Sequence, residues 1–110
     1  MPRITKTPQA EADIINHAVY LYVSAPEADA SERFLSATET AFARLAEMPG
    51  LGVAQAFASP RLAGIRRWPV PGFRNHLIFY RETEDGIDIV RVLDGAQDIA
   101  GLFMEDEGQP

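Results

Sequence analysis

Six arginines, Arg61, Arg66, Arg67, Arg74, Arg81 and Arg91, fall between residues 61 and 91, and nine of the ten basic residues of the chain are arginine. A guanidinium is always charged and presents a planar fork of donors that fits a carboxylate or a phosphate two bonds at a time. Such a cluster therefore has three destinations: the phosphates of RNA, an acidic segment of a partner, or the domain's own carboxylates. In a strand successive side chains alternate, so Arg66 shares a face with Trp68 while Arg67 takes the other, and Arg74, Arg81 and Arg91 follow on later strands. Structural and partner-binding roles outweigh phosphate handling on these residues alone.

Other chemistries find little support. The chain has no cysteine, which excludes a disulfide framework, a thiolate metal site and a cysteine nucleophile. His17 reads as a surface or packing residue. His76 lies beside Asn75 without a second clustered ligand, so no metal site and no cofactor are expected. None of Ser24, Ser31, Ser36 and Ser59 has the G-x-S-x-G surroundings of a hydrolase elbow. Gly64 and Gly72 lack nucleotide-loop spacing. The carboxylates Asp85/Asp88 and Glu105/Asp106/Glu107 belong to a hairpin tip and a tail. Tyr80, flanked by apolar strand residues, reads as packing, and no catalytic residue is expected.

Length and charge set the frame. At 110 residues, 46% apolar and 24% charged, the chain fits one compact domain with one core. A net charge of −6 suits poorly a protein that grips nucleic acid through its phosphates. No run approaches the ~18 apolar residues of a membrane span, and the polar start lacks a secretory apolar core, so a cytoplasmic protein without membrane contact is expected.

The elements that must position the arginines follow from pattern. Residues 3–6 read as a short strand, and Thr7-Pro8 as the cap and first position of a helix over about 8–23. Its core face is expected along Ile15, Ala18, Val19 and Tyr22. Ser24-Ala25-Pro26-Glu27 has the form of a capping box for a second helix. That helix carries an apolar stripe of Phe34, Thr38, Ala41, Phe42, Leu45 and Met48 and stops at Pro49-Gly50. Residues 51–60 read as a loop. Three antiparallel strands follow, Leu62 to Val70, Phe73 to Glu82 and Ile87 to Leu93, the last two joined by Asp85-Gly86, a pair suited to the positive φ of a tight hairpin turn. A short helix around Ile99, Leu102 and Phe103 and a disordered tail over 104–110 complete the chain. The expected fold is α+β: a helical hairpin packed on a small antiparallel sheet, with a short C-terminal helix.

Met48-Pro49-Gly50 after a helical hairpin, then Leu62-Ala63-Gly64-Ile65-Arg66-Arg67-Trp68-Pro69-Val70, Phe73-Arg74-Asn75-His76-Leu77-Ile78-Phe79-Tyr80-Arg81 and Ile89-Val90-Arg91-Val92-Leu93-Asp94-Gly95-Ala96-Gln97-Asp98-Ile99 resemble the ParE branch of the RelE/ParE toxin superfamily. The resemblance runs from about residue 5 to 103. It implies a toxin of a type II toxin–antitoxin module, a plasmid stabilisation protein, partnered by a ParD-like antitoxin whose ribbon-helix-helix end binds DNA and whose flexible tail wraps the toxin. DNA would be met only through the antitoxin. Members of this branch are held to poison DNA gyrase, whereas the RelE branch cuts messenger RNA on the ribosome.

Two departures bear on that choice. ParE-like sequences commonly read Arg-Val-Leu-His-Gly-Ala-Arg-Asp where this chain has Asp94 for the histidine and Gln97 for the second arginine. An ionised aspartate repels phosphate and has no proton to give. The gyrase reading needs a binding surface and no catalytic group, so it is preferred; a ribosome-dependent endoribonuclease is the alternative, and a non-toxic antitoxin-binding remnant the third. The residues expected to meet antitoxin or target are Arg66, Arg67, Trp68, Arg74, Arg81 and Arg91. A disordered segment laying an amphipathic helix into a groove, carboxylates on arginines and apolar anchors beneath, is the expected mode.

Overall fold

The computed structural model describes the backbone of residues 1–107 and the side chains of residues 1–103. It has the expected α+β architecture. Strand β1 (Arg3–Lys6) leads into helix α1 (Pro8–Ser24), and helix α2 (Ala30–Glu47) returns along it. A 3-10 turn at Pro49–Leu51 precedes the two-residue strand β2 (Val53–Ala54), and a second such turn at Pro60–Leu62 precedes β3 (Ile65–Val70), β4 (Phe73–Glu82) and β5 (Gly86–Asp94). Helix α3 (Ile99–Glu107) ends the described chain. The expected tail over 104–110 thus begins inside this helix, and its last residues, 108–110, lie outside the described residues.

The sheet runs β1-β5-β4-β3-β2, antiparallel throughout except that β1 lies parallel to β5, with Arg3 opposite Gly86 and Lys6 opposite Ile89. Both faces are covered. Helices α1 and α2 bury Val70, Ile78, Tyr80, Ile87, Ile89 and Val92 on one side. On the other, α3 buries Ile65, Phe79 and Leu93 beneath Phe103, with Phe57 and Leu62 of the loop alongside. Two-sided burial explains why Leu77-Ile78-Phe79-Tyr80 reads as an unbroken apolar run and not as an alternation.

The first helix starts as its cap dictates. Thr7 Oγ1 accepts from the Ala10 amide at 3.0 Å and donates to the Val90 carbonyl at 2.7 Å, while the Thr7 amide donates to the Ile89 carbonyl at 3.0 Å. One side chain thus fixes both the start of α1 and its position on β5. Thr7→Ala is expected to lower stability by about 1–2 kcal/mol, measured by urea unfolding.

The α1 stripe expected to face the core does not. Ile15, Val19 and Tyr22 are 61%, 56% and 78% exposed. The helix instead turns Ala10, Ala18, Ile14 and Leu21 inward, because the small side chains of Ala10 and Ala18 let its backbone approach the sheet. In α2 the stripe from Phe34 to Leu45 is buried as expected, but Met48 lies past the end of the helix and is exposed. The capping box at Ser24 does not form. Ser24 is the last residue of α1, and Ala25, held extended before Pro26, ends that helix. The second helix begins five residues later, at Ala30, with Asp29 at its cap position.

The sheet turns also differ from expectation. Residues 53–54 of the expected loop form β2, pairing with Arg67 and Arg66. Positive φ occurs among the described residues at Gly64 (83°) and Gly72 (81°), not at Gly86. The turn between β4 and β5 is closed by the Thr83 amide on the Gly86 carbonyl at 2.9 Å. Glycine is needed at 86 for a different reason: the Arg3 backbone of β1 lies against it.

Candidate functional site

The arginine cluster divides into residues held by the fold and residues left at its surface. Arg66 on β3 stands opposite Tyr80 on β4. Its Nη1 donates to the Gly52 carbonyl at 2.8 Å, and Tyr80 Oη accepts from the Gly52 amide at 2.8 Å while donating to the Pro49 carbonyl at 2.7 Å. Tyr80 is wholly buried, and burial pushes its hydroxyl pKa up against the opposing pull of the Gly52 amide and Arg66. Both hydrogen-bonding functions of this hydroxyl are thus occupied by backbone, and a Cβ on Gly52 would stand 2.5 Å from it. The expectation of a packing role holds, and the hydroxyl pins the turn after α2 to the central strand. Tyr80→Phe leaves a buried carbonyl and amide without that partner, so a loss of about 2 kcal/mol is expected in chemical unfolding.

Arg81 is equally occupied. Its Nη2 donates to the Arg61 carbonyl at 2.7 Å and its Nε to the Ala63 carbonyl at 3.2 Å, tying the loop before β3 to β4. Arg66 and Arg81 share the rim of a shallow cleft of about 260 Å³ with Gln55 and Glu82. Arg91 is separate from both. Its Nε and Nη2 meet the two carboxylate oxygens of Asp13 on α1 at 2.7 and 2.9 Å, and the same carboxylate accepts from the Val92 amide at 3.0 Å. Trp68 is half-buried against the helix-side core. Arg67 on β3 and Arg74 at the start of β4 are exposed, and neither side chain makes a hydrogen bond or ion pair with any described residue.

The two positions that depart from the ParE-like pattern build a turn. Asp94 Oδ1 accepts from the Ala96 amide at 2.8 Å, and Gln97 Oε1 accepts from the Asp94 amide at 2.7 Å. The carboxylate of Asp98 then accepts from the Gly101 amide at 3.1 Å, capping α3.

His17 and His76 meet at the junction of α1 and β4, ring centroids 4.7 Å apart, with Phe34 of α2 and Phe73 packed around them. His17 Nε2 lies 2.8 Å from the Val92 carbonyl, whereas His76 Nδ1 is buried with no hydrogen-bond partner among the described residues. Burial first, and the neighbouring His17 second, lower the pKa of His76, against the raising effect of Asp94 on β5. The unfolded chain, with an ordinary histidine value near 6.5, therefore takes up this proton before the folded chain does. The stabilisation is whole above about pH 6.5 and is lost as the pH falls through the lower folded value. The thermal midpoint is expected to drop from pH 7 toward pH 5, and His76→Phe to flatten that dependence.

Sequence reasoning missed Asp13 as the partner of Arg91, and the exposed side of α1. The second carries a signal: residues 14–26 contain no Asp, Glu, Lys or Arg. No helix among the described residues is long and apolar enough to cross a membrane, and no group of three or more His, Cys, Asp or Glu among them is placed to hold a metal ion.

This fold has known counterparts. The toxin–antitoxin structure described as the chromosomal ParDE system from P. aeruginosa matches 86% of this chain and 96% of its own, with a TM-score of 0.66 at 16% identity. A YoeB–YefM complex from Staphylococcus aureus matches 84% of this chain and 94% of its own, with a TM-score of 0.51 at 15% identity. At such identities the likeness establishes the fold alone. No curated protein sequence matches the chain. The family model described as the ParE toxin of the type II toxin–antitoxin system, parDE, matches residues 4–99, which is most of the chain. The helical hairpin, the sheet with its arginine-bearing strands and the turn at Asp94 thus belong to a member of the ParE toxin family of type II toxin–antitoxin systems.

Proposed function

We propose that this toxin acts in the cytoplasm by binding DNA gyrase, without chemistry of its own, and is held inactive by a ParD-like ribbon-helix-helix antitoxin in a plasmid stabilisation module. One observation carries the reading: the groups that a phosphate-cleaving site would need are committed to the fold. Tyr80 Oη is enclosed by two backbone groups, Arg81 holds two carbonyls, Arg91 holds Asp13, and Asp94 occupies a turn. A proton shuttle must reach the substrate, and a wholly buried, doubly bonded phenol does not.

The exposed Arg67 and Arg74 remain as the contact set for an acidic antitoxin segment, and Trp68, half-buried on the helix-side face of the sheet opposite Arg67, is a candidate apolar anchor. Arg66 and Arg81 instead tie down the loops that flank β3 and β4, and Arg91 holds α1 to β5. Charge at the rim of such an interface sets approach and register, and a buried aromatic supplies affinity. The double variant Arg67→Glu with Arg74→Glu is expected to weaken binding of a co-purified ParD-class antitoxin at least about tenfold, with the unfolding midpoint unchanged. Calorimetric titration checks it, and unaltered affinity would remove these two residues from the interface.

A further inference from the structure

Strand β4 is irregular at its start. Val70 of β3 pairs with Phe73 and the preceding Pro69 with Leu77, so Arg74, Asn75 and His76 have no partner on β3. This bulge is held from the β5 side, where the Gly95 amide donates to the Asn75 carbonyl at 2.6 Å and Asp94 stands opposite His76. A bulge breaks the ladder and re-aims the side chains it carries. Here Arg74 and Asn75 are exposed, and His76 is the one inward-facing side chain of the three. Its ring packs on those of His17, Phe34 and Phe73, with centroids 4.7, 5.0 and 6.2 Å away. The presentation of Arg74 therefore depends on how firmly the His76 ring stays in this cage.

That anchor suits a neutral ring. An imidazolium carries a proton on both nitrogens, and His76 Nδ1 is buried with no hydrogen-bond partner among the described residues to accept one. A charge walled by two phenylalanine rings is also costly to desolvate. The neighbouring groups sharpen this. His17 of α1 faces His76 ring to ring, and Arg33 of α2 stands over the Phe73 ring at 6.0 Å, so α1 and α2 offer positive charge, His17 once protonated. Asp94 of β5 opposes them, but its Oδ1 already accepts from the Ala96 amide. Asp13, one turn before His17 on α1, is taken up by Arg91. Burial and His17 accordingly lower the His76 pKa, and Asp94 raises it.

We propose that protonation of His76 releases the bulged start of β4 and with it the fixed presentation of Arg74, which makes antitoxin capture sensitive to mild acidification. The segment that opens is the part of β4 with no ladder to β3, so the rest of the strand stays paired. The coupling to the antitoxin rests on the contact reading of Arg74 proposed above; the release of the bulge does not.

Nuclear magnetic resonance of the full chain tests both, following the His76 ring and the backbone from about pH 7.5 to about pH 5, the range in which histidines titrate. As the ring titrates, the order parameters of Arg74, Asn75 and His76 should fall from the rigid value of about 0.85 to below about 0.6, while those of Ile78 to Arg81 in the same strand stay rigid. His76→Phe should keep the bulge ordered throughout. His17→Gln keeps a donor for the Val92 carbonyl and removes a charge, so its midpoint should move to higher pH; Asp94→Asn keeps an acceptor for the Ala96 amide and should move it to lower pH. In calorimetric titrations over the same range, affinity for a ParD-class antitoxin should fall at least about tenfold in the unaltered chain and stay level in His76→Phe. Order that persists while the ring titrates, or midpoints that do not move apart in the two neighbour variants, would overturn the switch. Arg74→Ala tells a failed switch from a failed contact. If it keeps full antitoxin affinity at neutral pH, the contact reading of Arg74 falls and the coupling with it; if it weakens binding but acid does not weaken the unaltered chain, the coupling alone is overturned.

Discussion

Asp13→Ala is expected to lower the unfolding free energy by about 3–5 kcal/mol, the cost of leaving one partner of a buried ion pair without the other. The pair is well enclosed: the Arg91 and Asp13 side chains are 11% and 12% exposed. The carboxylate also does more than balance charge, since it accepts the Val92 amide at 3.0 Å beyond the reach of β1, which pairs with β5 only as far as Ile89. It therefore joins α1 to the free part of the β5 edge. Asp13→Asn should recover part of the loss by keeping an acceptor, and Asp13→Leu combined with Arg91→Met should cost less than either single change, because no buried charge is left behind. Chemical unfolding of these five variants, the two single changes of the pair included, measures this. Equal and small losses in all of them would show that the pair is effectively solvated.

Gly86→Ala should be nearly as damaging, by about 3 kcal/mol or more, for a reason that is entirely backbone. A Cβ at this position would stand 1.8 Å from the Arg3 carbonyl oxygen, 2.6 Å from its nitrogen and 2.7 Å from its carbonyl carbon. None of these atoms can rotate away. The chain can relieve the overlap only by releasing β1, with the Arg3 amide bond to the Asp85 carbonyl at 2.8 Å and the Thr5 hydroxyl bond to Asp88 at 2.8 Å. Amide hydrogen exchange should consequently accelerate at Ile4 to Thr7 well before it changes at β3 or β4. Unchanged protection of β1 in Gly86→Ala would mean that the strands separate at less cost than this packing implies.

The parts of the fold that were legible in the sequence are those governed by neighbours in the chain. Thr7-Pro8 announces a helix start because a cap and its first turn are local, and the α2 stripe from Phe34 to Leu45 is legible because its period is regular. The strands from β3 to β5 are legible from their β-branched and aromatic residues between glycine and proline breaks. What was not legible depends on the other side of a contact. The choice of Ala10 and Ala18 over Ile15 and Val19 as the core face of α1 is made by how close the helix sits to the sheet. Ser24 lost its cap role to the extended backbone that Pro26 imposes on Ala25. Gly86 looks like a turn glycine, yet its smallness serves a strand that pairs across more than eighty residues. The arginines were legible as a cluster, but their division into internal staples and free surface rests on Asp13 and on the carbonyls of Gly52, Arg61 and Ala63, which no spacing in the sequence reveals.

The most direct test of a gyrase-binding toxin without chemistry of its own is induced expression of this chain alone in bacteria, with DNA breakage and transcript ends mapped in the same cells. Growth arrest with gyrase-dependent DNA breaks and intact transcripts, relieved by a co-expressed ParD-class antitoxin, is the predicted result. Transcripts cut at codon positions on the ribosome, or growth that continues unimpeded, would contradict it.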